Sequence, residues 1–398
     1  MTIVAYDLSA AARRAAHALA AASTAARDAA LEAIAAGVEA NADAIAASNA
    51  RDLAGASGER PAIVDRLTLN PERIAGLAAG VRAVAALSDP IGVVLSETTR
   101  PDGLRITKLR VPLGVVAVVY EARPNVTTDA AALTLKAGNA CILRGSRLAA
   151  HTNRALVDVT RAAVADAGLP ADAVQELVAD RDALRGFVSN PDAADVVIPR
   201  GGEALKHFLL EHSRVPVLAA AGGNNHVYVD AAADPEKAVA IAVNAKVQRP
   251  GVCNAAETLL VHRDAAALGE RICAALRGAG VELVEGDEAD ATEFLDLRMA
   301  VREVESLDEA LAHIARHGTG HSEAIVTEDA GAAERFVGEV DAAAVYVNAS
   351  TRFTDGGEYG MGAEIGISTN RLHARGPVGL EELTTTKYVV RGDGHVRA

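Results

Sequence analysis

The chain has 398 residues, half of them hydrophobic, with Ala dominant and no Trp, so an aliphatic core large enough for two lobes and a small appendage is available. Its 39 basic and 53 acidic residues give a formal charge of −14, which disfavours nucleic acid and anionic membrane surfaces as partners. An anionic substrate would therefore need a local cluster of Arg, Lys or backbone N–H groups. Cys141, Cys253 and Cys273 form no disulfide framework and no CxxC pair. The start of the chain lacks a signal-peptide pattern, and no apolar stretch reaches the ~18–20 residues of a membrane span. A cytoplasmic protein is expected.

Residues 6 to about 90 carry a helical pattern in which Leu19, Leu31, Ile34, Val38 and Ile45 mark apolar faces. The segments Gly92–Leu95 and Leu104–Leu109 around Pro101-Asp102-Gly103 predict a β-hairpin, which needs a partner to be stable. Strands are then expected at Val115–Val119, Ala140–Leu143, Val174–Leu177, Val196–Ile198 and Val215–Leu218. They alternate with helices near Val126–Lys136, from Ser146 to Asp166, and at Glu203–His212. That alternation predicts βαβ units and a parallel sheet, with ligands at the carboxyl ends of its strands. A second α/β stretch opens at Asp234-Pro235, with strands at Thr258–Val261, Val281–Val284, Met299–Val304, Ala324–Val326 and Val345–Val347. The tail after Gly376 is β-rich from Leu383 to Val390 and needs a sheet to join.

Four segments carry chemistry. In Asn244–Asn254 a helix stops before Pro250, Gly251 frees the backbone, and Cys253 sits on an accessible loop where Lys246 and Arg249 would favour its thiolate. In Tyr120–Thr127, at a strand-to-helix turn, Asn125 would lend an amide N–H to an oxyanion or cap the helix, Arg123 would hold an anion, and Glu121 points to substrate. Arg200-Gly201-Gly202 and Arg144-Gly145-Ser146 repeat a strand–turn–helix layout that suits a ribose or phosphate, although the Gly-Gly pair is not GxGxxG and reads equally as a plain turn. The glycine-rich run Phe353–Thr369 has the composition of a functional loop. No P-loop, nucleophile elbow or metal-ligand spacing is visible, so no metal is expected, and His226 and His373 read as structural.

These segments, in this order, resemble the gamma-glutamyl phosphate reductases, a branch of the aldehyde dehydrogenase superfamily. The resemblance is carried by Gln248–Thr258, Tyr120–Val126, Val197–Gly202, Arg375-Gly376-Pro377 and Leu380–Thr385. It implies an aldehyde-dehydrogenase-like α/β fold: a Rossmann-type cofactor domain, an α/β catalytic domain and a small β oligomerisation element. The expected limits are 1–233 with 350–377 returning to it for NADP binding, 234–349 for catalysis, and 92–111 with 378–398 for oligomerisation. It implies NADPH-dependent reduction of gamma-glutamyl phosphate to glutamate 5-semialdehyde and phosphate through a Cys253 thioester, with Asn125 assisting. It also implies a homo-oligomer and channelling from an upstream glutamate kinase. Arg144, Gly145, Ser146, Arg200, Gly201 and Gly202 are then the expected cofactor residues, and Glu121, Arg123, Arg249 and Arg352 the expected substrate residues. Hydrolytic relatives carry a glutamate where this chain has Ala220, and Asn225 replaces a common Cys. The competing readings are a hydrolytic aldehyde dehydrogenase, a cysteine acyltransferase, and a non-catalytic scaffold.

Overall fold

The structure, a computed structural model, describes residues 3–178, 180–219 and 222–397. Its N-terminal stretch forms five helices, α1 (Ile3–Ala21), α2 (Thr24–Ala40), α3 (Ala42–Gly55), α4 (Pro61–Leu67) and α5 (Pro71–Ala85). The side chains of Ser23 and Asn70 cap α2 and α5, and Pro follows directly at the start of α4 and α5. Leu19, Leu31, Ile34, Val38 and Ile45 are all fully buried, as their spacing predicts.

Past the hairpin strands β1 (Val94–Thr99) and β2 (Arg105–Pro112) comes an α/β series: β3 (Val115–Tyr120), α6 (Asn125–Lys136), β4 (Ala140–Arg144), α7 (Ala150–Asp166), β5 (Val174–Glu176), α8 (Arg181–Val188), β6 (Val196–Arg200) and α9 (Glu203–His212). Strands β3 to β6 form a parallel sheet in the order β5-β4-β3-β6. Every residue of β3 is buried, because a central parallel strand is covered on both faces and needs a continuous Val-rich run. The strand expected at Val215–Leu218 is reduced to one bridge, Val217 to Val197, at the outer side of β6. The fully buried Lys136 donates to Asp28 and to the Ala85 carbonyl, tying α6 to α2 and α5.

The second α/β series runs β7 (Asn225–Val229), α10 (Pro235–Val247), β8 (Ala256–His262), α11 (Ala266–Gly278), β9 (Glu282–Val284), α12 (Asp287–Asp290), β10 (Arg298–Val304), α13 (Leu307–His317), β11 (Ser322–Val326), α14 (Ala330–Glu339) and β12 (Ala344–Val347). Its strands form a six-stranded parallel sheet, β12-β11-β7-β8-β10-β9. One aliphatic cluster packs α10 and α11 on this sheet, and a second, around Tyr228, Ile314 and Phe336, packs α13 and α14. The short pair β13 (Ile367–Ser368) and β14 (Gly376–Pro377) is antiparallel. The tail strand β15 (Thr384–Arg391) pairs antiparallel with β2 over its whole length, so the hairpin becomes a three-stranded sheet, β1-β2-β15. Val94, Leu95, Tyr388 and Val390 leave apolar surface exposed on it.

Two compact units emerge. One gathers the chain to Leu218 with Met361–Gly366 and the segment from Val378; the other comprises Ala219–Gly360 and Ile367–Pro377. The division therefore falls after Leu218, residues 219–233, 350–360 and 367–377 belong to the second unit, and only 361–366 of the expected returning segment joins the first. Among the described residues no helix is long and apolar enough to cross a membrane.

Gly114, between β2 and β3, has a φ of +126°, and a Cβ there would lie 2.3 Å from the Asp195 carboxylate. That carboxylate accepts the Val115 N–H at 2.7 Å and pairs with Arg13. Gly114→Ala is expected to destabilise the protein by about 2–4 kcal/mol, read as a lower urea midpoint, and an unchanged midpoint would disprove the constraint.

Candidate active site

In the first unit the expected polar residues lie just past the carboxyl ends of β3, β4 and β6, where parallel strands present side chains to ligands. The chain leaves β3 through a sharp turn with Ala122 at a φ of +43°. Glu121 folds onto the glycine turn after β6: its Oε2 accepts the Gly202 N–H at 3.0 Å, and its own N–H donates to the Arg200 carbonyl at 3.1 Å. A Cβ on Gly201 would meet the Glu121 carboxylate at 2.5 Å, which explains the glycine. Glu121 thus sets the geometry of the Arg200–Gly202 turn at the start of α9, where negative charge is favoured. Burial pushes the Arg144 guanidinium below its ordinary value, and the Glu121 carboxylate opposes that shift.

Gly145 is required by packing, since a Cβ would lie 2.0 Å from the Asn153 amide. Ser146 accepts the Leu148 N–H at 3.2 Å and caps a 3-10 turn, Arg147–Ala149, that leads into α7. Arg123 is half-buried, with its carbonyl accepting the Val126 N–H. Asn125 is the first residue of α6, not its cap: the capping position is Pro124, which has no side-chain bond to offer. The Asn125 amide instead donates to Asp129 Oδ2 at 2.9 Å, one helical turn on. Burial pushes the Asp129 carboxyl up to about 6, against the Asn125 hydrogen bond and the Arg200 cation.

In the second unit Cys253 is half-buried on the loop between α10 and β8, outside the apolar clusters. This loop lies at the amino end of its strand, the opposite polarity from the turns of the first unit. Asn225 opens β7 and holds the loop: its Nδ2 donates to the Cys253 carbonyl at 2.8 Å and to the Ala255 carbonyl at 2.7 Å, while its Oδ1 accepts the Ser322 N–H. Gly223 closes the other side, since a Cβ on it would fall 1.6 Å from the Cys253 carbonyl oxygen. The Gly223 N–H in turn donates to Glu293 Oε1 at 2.6 Å. Asn254 is fixed by its amide on the Thr354 carbonyl and by the Thr351 hydroxyl on its own carbonyl.

Arg249 is exposed and Arg352 half-buried. The Arg352 Nε donates to Gln248 at 2.8 Å. Burial and the Arg249 charge push Arg352 below its ordinary value, while the Cys253 sulfur, Asp355 and Glu358 pull it back. Two guanidiniums therefore share the electrostatic neighbourhood of the sulfur. Lys246 is not the thiolate partner expected from its proximity in sequence. It is fully buried in an ion pair with Glu257 at 2.6 Å, and burial drives both groups toward their neutral forms. Glu257 is the extra residue where the β7–β8 register slips, a bulge directly after the cysteine loop. Gly251 needs no unusual φ and has room for a Cβ, so Gly223 is the glycine that shapes the loop. Burial pushes the Cys141 thiol up to about 12 and raises Cys273 as well, so neither supplies thiolate. His226 is fully buried, with its N–H and ring Nδ1 both on Glu323. Ala220 lies outside the described residues.

A profile of the aldehyde dehydrogenase family matches residues 5–293. Gamma-glutamyl phosphate reductases of Carboxydothermus hydrogenoformans and Thermobifida fusca are 54% and 52% identical over 371 residues, 89% of this chain and of each relative. The chain belongs to the aldehyde dehydrogenase family, in its gamma-glutamyl phosphate reductase branch. The crystal structure of the gamma-glutamyl phosphate reductase of Thermotoga maritima superposes with a TM-score of 0.97 at 43% identity, covering 99% of this chain and 100% of that one. The fold is thus the aldehyde-dehydrogenase-like α/β fold expected.

Two substitutions probe these contacts. Gly223→Ala forces the cysteine loop to move, and with Cys253 as the expected nucleophile a displacement of about 1 Å costs on the order of 10²-fold in kcat/KM; unchanged kinetics would refute the close approach. Asp129 has a folded-state pKa above its ordinary value, so its stabilising contribution is complete below about pH 4. That contribution is lost as pH rises through about 6. Asp129→Asn is expected to gain about 2 kcal/mol over the parent at pH 8 and little at pH 4, measured by urea unfolding at both pH values.

Proposed function

We propose that this enzyme reduces gamma-glutamyl phosphate to glutamate 5-semialdehyde with release of phosphate, the second step from glutamate to proline, in the cytoplasm and with NADPH as reductant. The observation that carries the reading is the Cys253 loop: a half-buried thiol fixed through its own carbonyl by Asn225 and Gly223, with Arg249 and Arg352 beside it. The Cys253 sulfur attacks the acyl carbon, an S–C bond forms, and the C–O bond to phosphate breaks with its electron pair leaving on phosphate. The Cys253 N–H and the Asn125 amide are assigned to the oxyanion. Arg249 and Arg352 are assigned to the substrate's anionic groups, as are Arg123 and Glu121 to substrate positioning. The thioester is then reduced to a thiohemiacetal, whose S–C bond breaks to release aldehyde and return the thiolate.

The turns after β3, β4 and β6 suit a dinucleotide. Gly145 and Gly201 are kept open by packing that no side chain could share. Arg144, Ser146, Arg200 and Gly202 would hold the ribose and phosphates, and the bound nicotinamide supplies hydride. The first unit is therefore assigned to the cofactor and the second to catalysis. The exposed apolar residues of the β1-β2-β15 sheet support a role in homo-oligomerisation. Acyl phosphates hydrolyse in water, which gives direct transfer from an upstream glutamate kinase its chemical advantage.

The hydrolytic alternative requires a water-activating carboxylate at position 220, and the chain has Ala there. The test is oxidation of glutamate 5-semialdehyde followed as nicotinamide reduction. Strict dependence on phosphate is expected; phosphate-independent turnover yielding free glutamate would establish the hydrolytic reading. Cys253→Ala is expected to abolish turnover while leaving the thermal midpoint within about 2 °C.

A further inference from the structure

We propose that Asp290, His313 and His317 bind one divalent transition-metal ion of the zinc class, and that the ion braces the turn Gly223–Asn225. His313 and His317 stand four residues apart in the last turns of α13, so both imidazoles share one helix face. Asp290 ends α12, and one ligand atom from each of the three residues lies within 4.8 Å of the others. Bonds of about 2.05 Å in tetrahedral geometry need ligand atoms roughly 3.3 Å apart, so binding requires the three side chains to draw together. Asp290 and His313 are buried and His317 is half-buried, which leaves an entry path.

A second observation points to a ligand. The His313 Nε2 is buried without a hydrogen-bond partner, and so is the Nε2 of His226, whose ring stands edge-on at 5.2 Å. Buried polar atoms are ordinarily satisfied, so an unsatisfied nitrogen on His313, beside the His317 ring and the Asp290 carboxylate, points to a ligand. Two imidazoles and one carboxylate select Zn2+, Co2+ or Ni2+ over Mg2+ or Ca2+, which favour all-oxygen shells. Arg302 pairs with Asp290, and it also reaches Asp287 Oδ1 at 2.8 Å. The guanidinium therefore keeps an anion when Asp290 turns an oxygen to the metal.

The site is wired to the cysteine loop. Asn224 Nδ2 donates to the Asp290 carbonyl at 2.7 Å and to the His317 carbonyl at 2.9 Å. Asn224 lies between Gly223 and Asn225, the residues that hold the Cys253 carbonyl. An ion joining Asp290 to His317 would fix both carbonyls on which the turn hangs. The binding claim stands without the reading of Cys253 as nucleophile; only the effect on the loop rests on it.

The test uses the full chain carrying Cys253→Ala and Cys273→Ala, which removes both half-buried thiols as competing ligands and makes binding independent of catalysis. Co2+ is titrated by visible absorption, and Zn2+ by calorimetry. One equivalent is expected, with the bands of four-coordinate cobalt and no thiolate charge-transfer band, and with Mg2+ unable to compete. His317→Ala and His313→Gln, each verified as folded by its melt in chelator, are expected to weaken binding by about 100-fold or more. Equal affinity in both His variants, or no saturable uptake by the parent, overturns the proposal.

Discussion

One carbonyl oxygen organises the second unit: that of Cys253, which receives the Asn225 amide on one side and the bare Cα of Gly223 on the other. The cysteine loop is thus held through its main chain, by a hydrogen bond on one side and a steric contact on the other. The support continues outward in both directions. Asn225 also anchors the start of β11 through Ser322, and Gly223 is itself held by Glu293. The parallel sheet supplies stiffness, because β7, β8 and β11 are fully buried apart from the terminal His262. Rigid strands with the cysteine loop at their amino ends preorganise the nucleophile proposed for this enzyme.

The first unit solves a different problem. In the proposed function its turns receive a large anionic ligand, and the −14 charge of the chain opposes that approach. The turns combine glycines fixed by steric contact with Arg144 and Arg200, and they aim one helix N-terminus in the same direction. Glu121 adds a carboxylate in the same turn, and its bond to the Gly202 N–H keeps the glycine turn in one shape. The Asn125–Asp129 pair places a weakly acidic carboxyl beneath the amide, so the Asn side chain is held by a hydrogen bond and not by capping its own helix.

Strands were legible wherever a β-branched run is buried on both faces, as in Val115–Val119, because that pattern has one physical use. The helix stop before Pro250 was legible from proline sterics, and the pairing of the tail from its β-rich composition. Val215–Leu218 has the same composition as a strand, yet only Val217 bridges to a neighbour, an outcome set by tertiary register and not by propensity. In the site, residue types were legible and partners were not. Lys246 is seven positions from Cys253, but α10 points its ammonium inward to Glu257. Gly223 matters through an approach to Cys253 from thirty positions away, which no local pattern encodes. Asn125 was read as an oxyanion donor or a helix cap, whereas it opens α6 and bonds Asp129 one turn on, a partner that the local cap pattern does not single out.

The union of β2 with β15 has a consequence for synthesis. Arg110 and Thr384, hydrogen-bonded across these strands, are 274 residues apart. During translation the hairpin leaves the ribosome long before its third strand exists, while both α/β sheets between them are still being made. A two-stranded ribbon with Val94 and Leu95 exposed therefore waits, open along one edge of β2, until Thr384–Arg391 has been made. This small sheet is thus completed only after every strand of both α/β sheets has been made, and until then β2 keeps an unmatched edge on which another strand can pair.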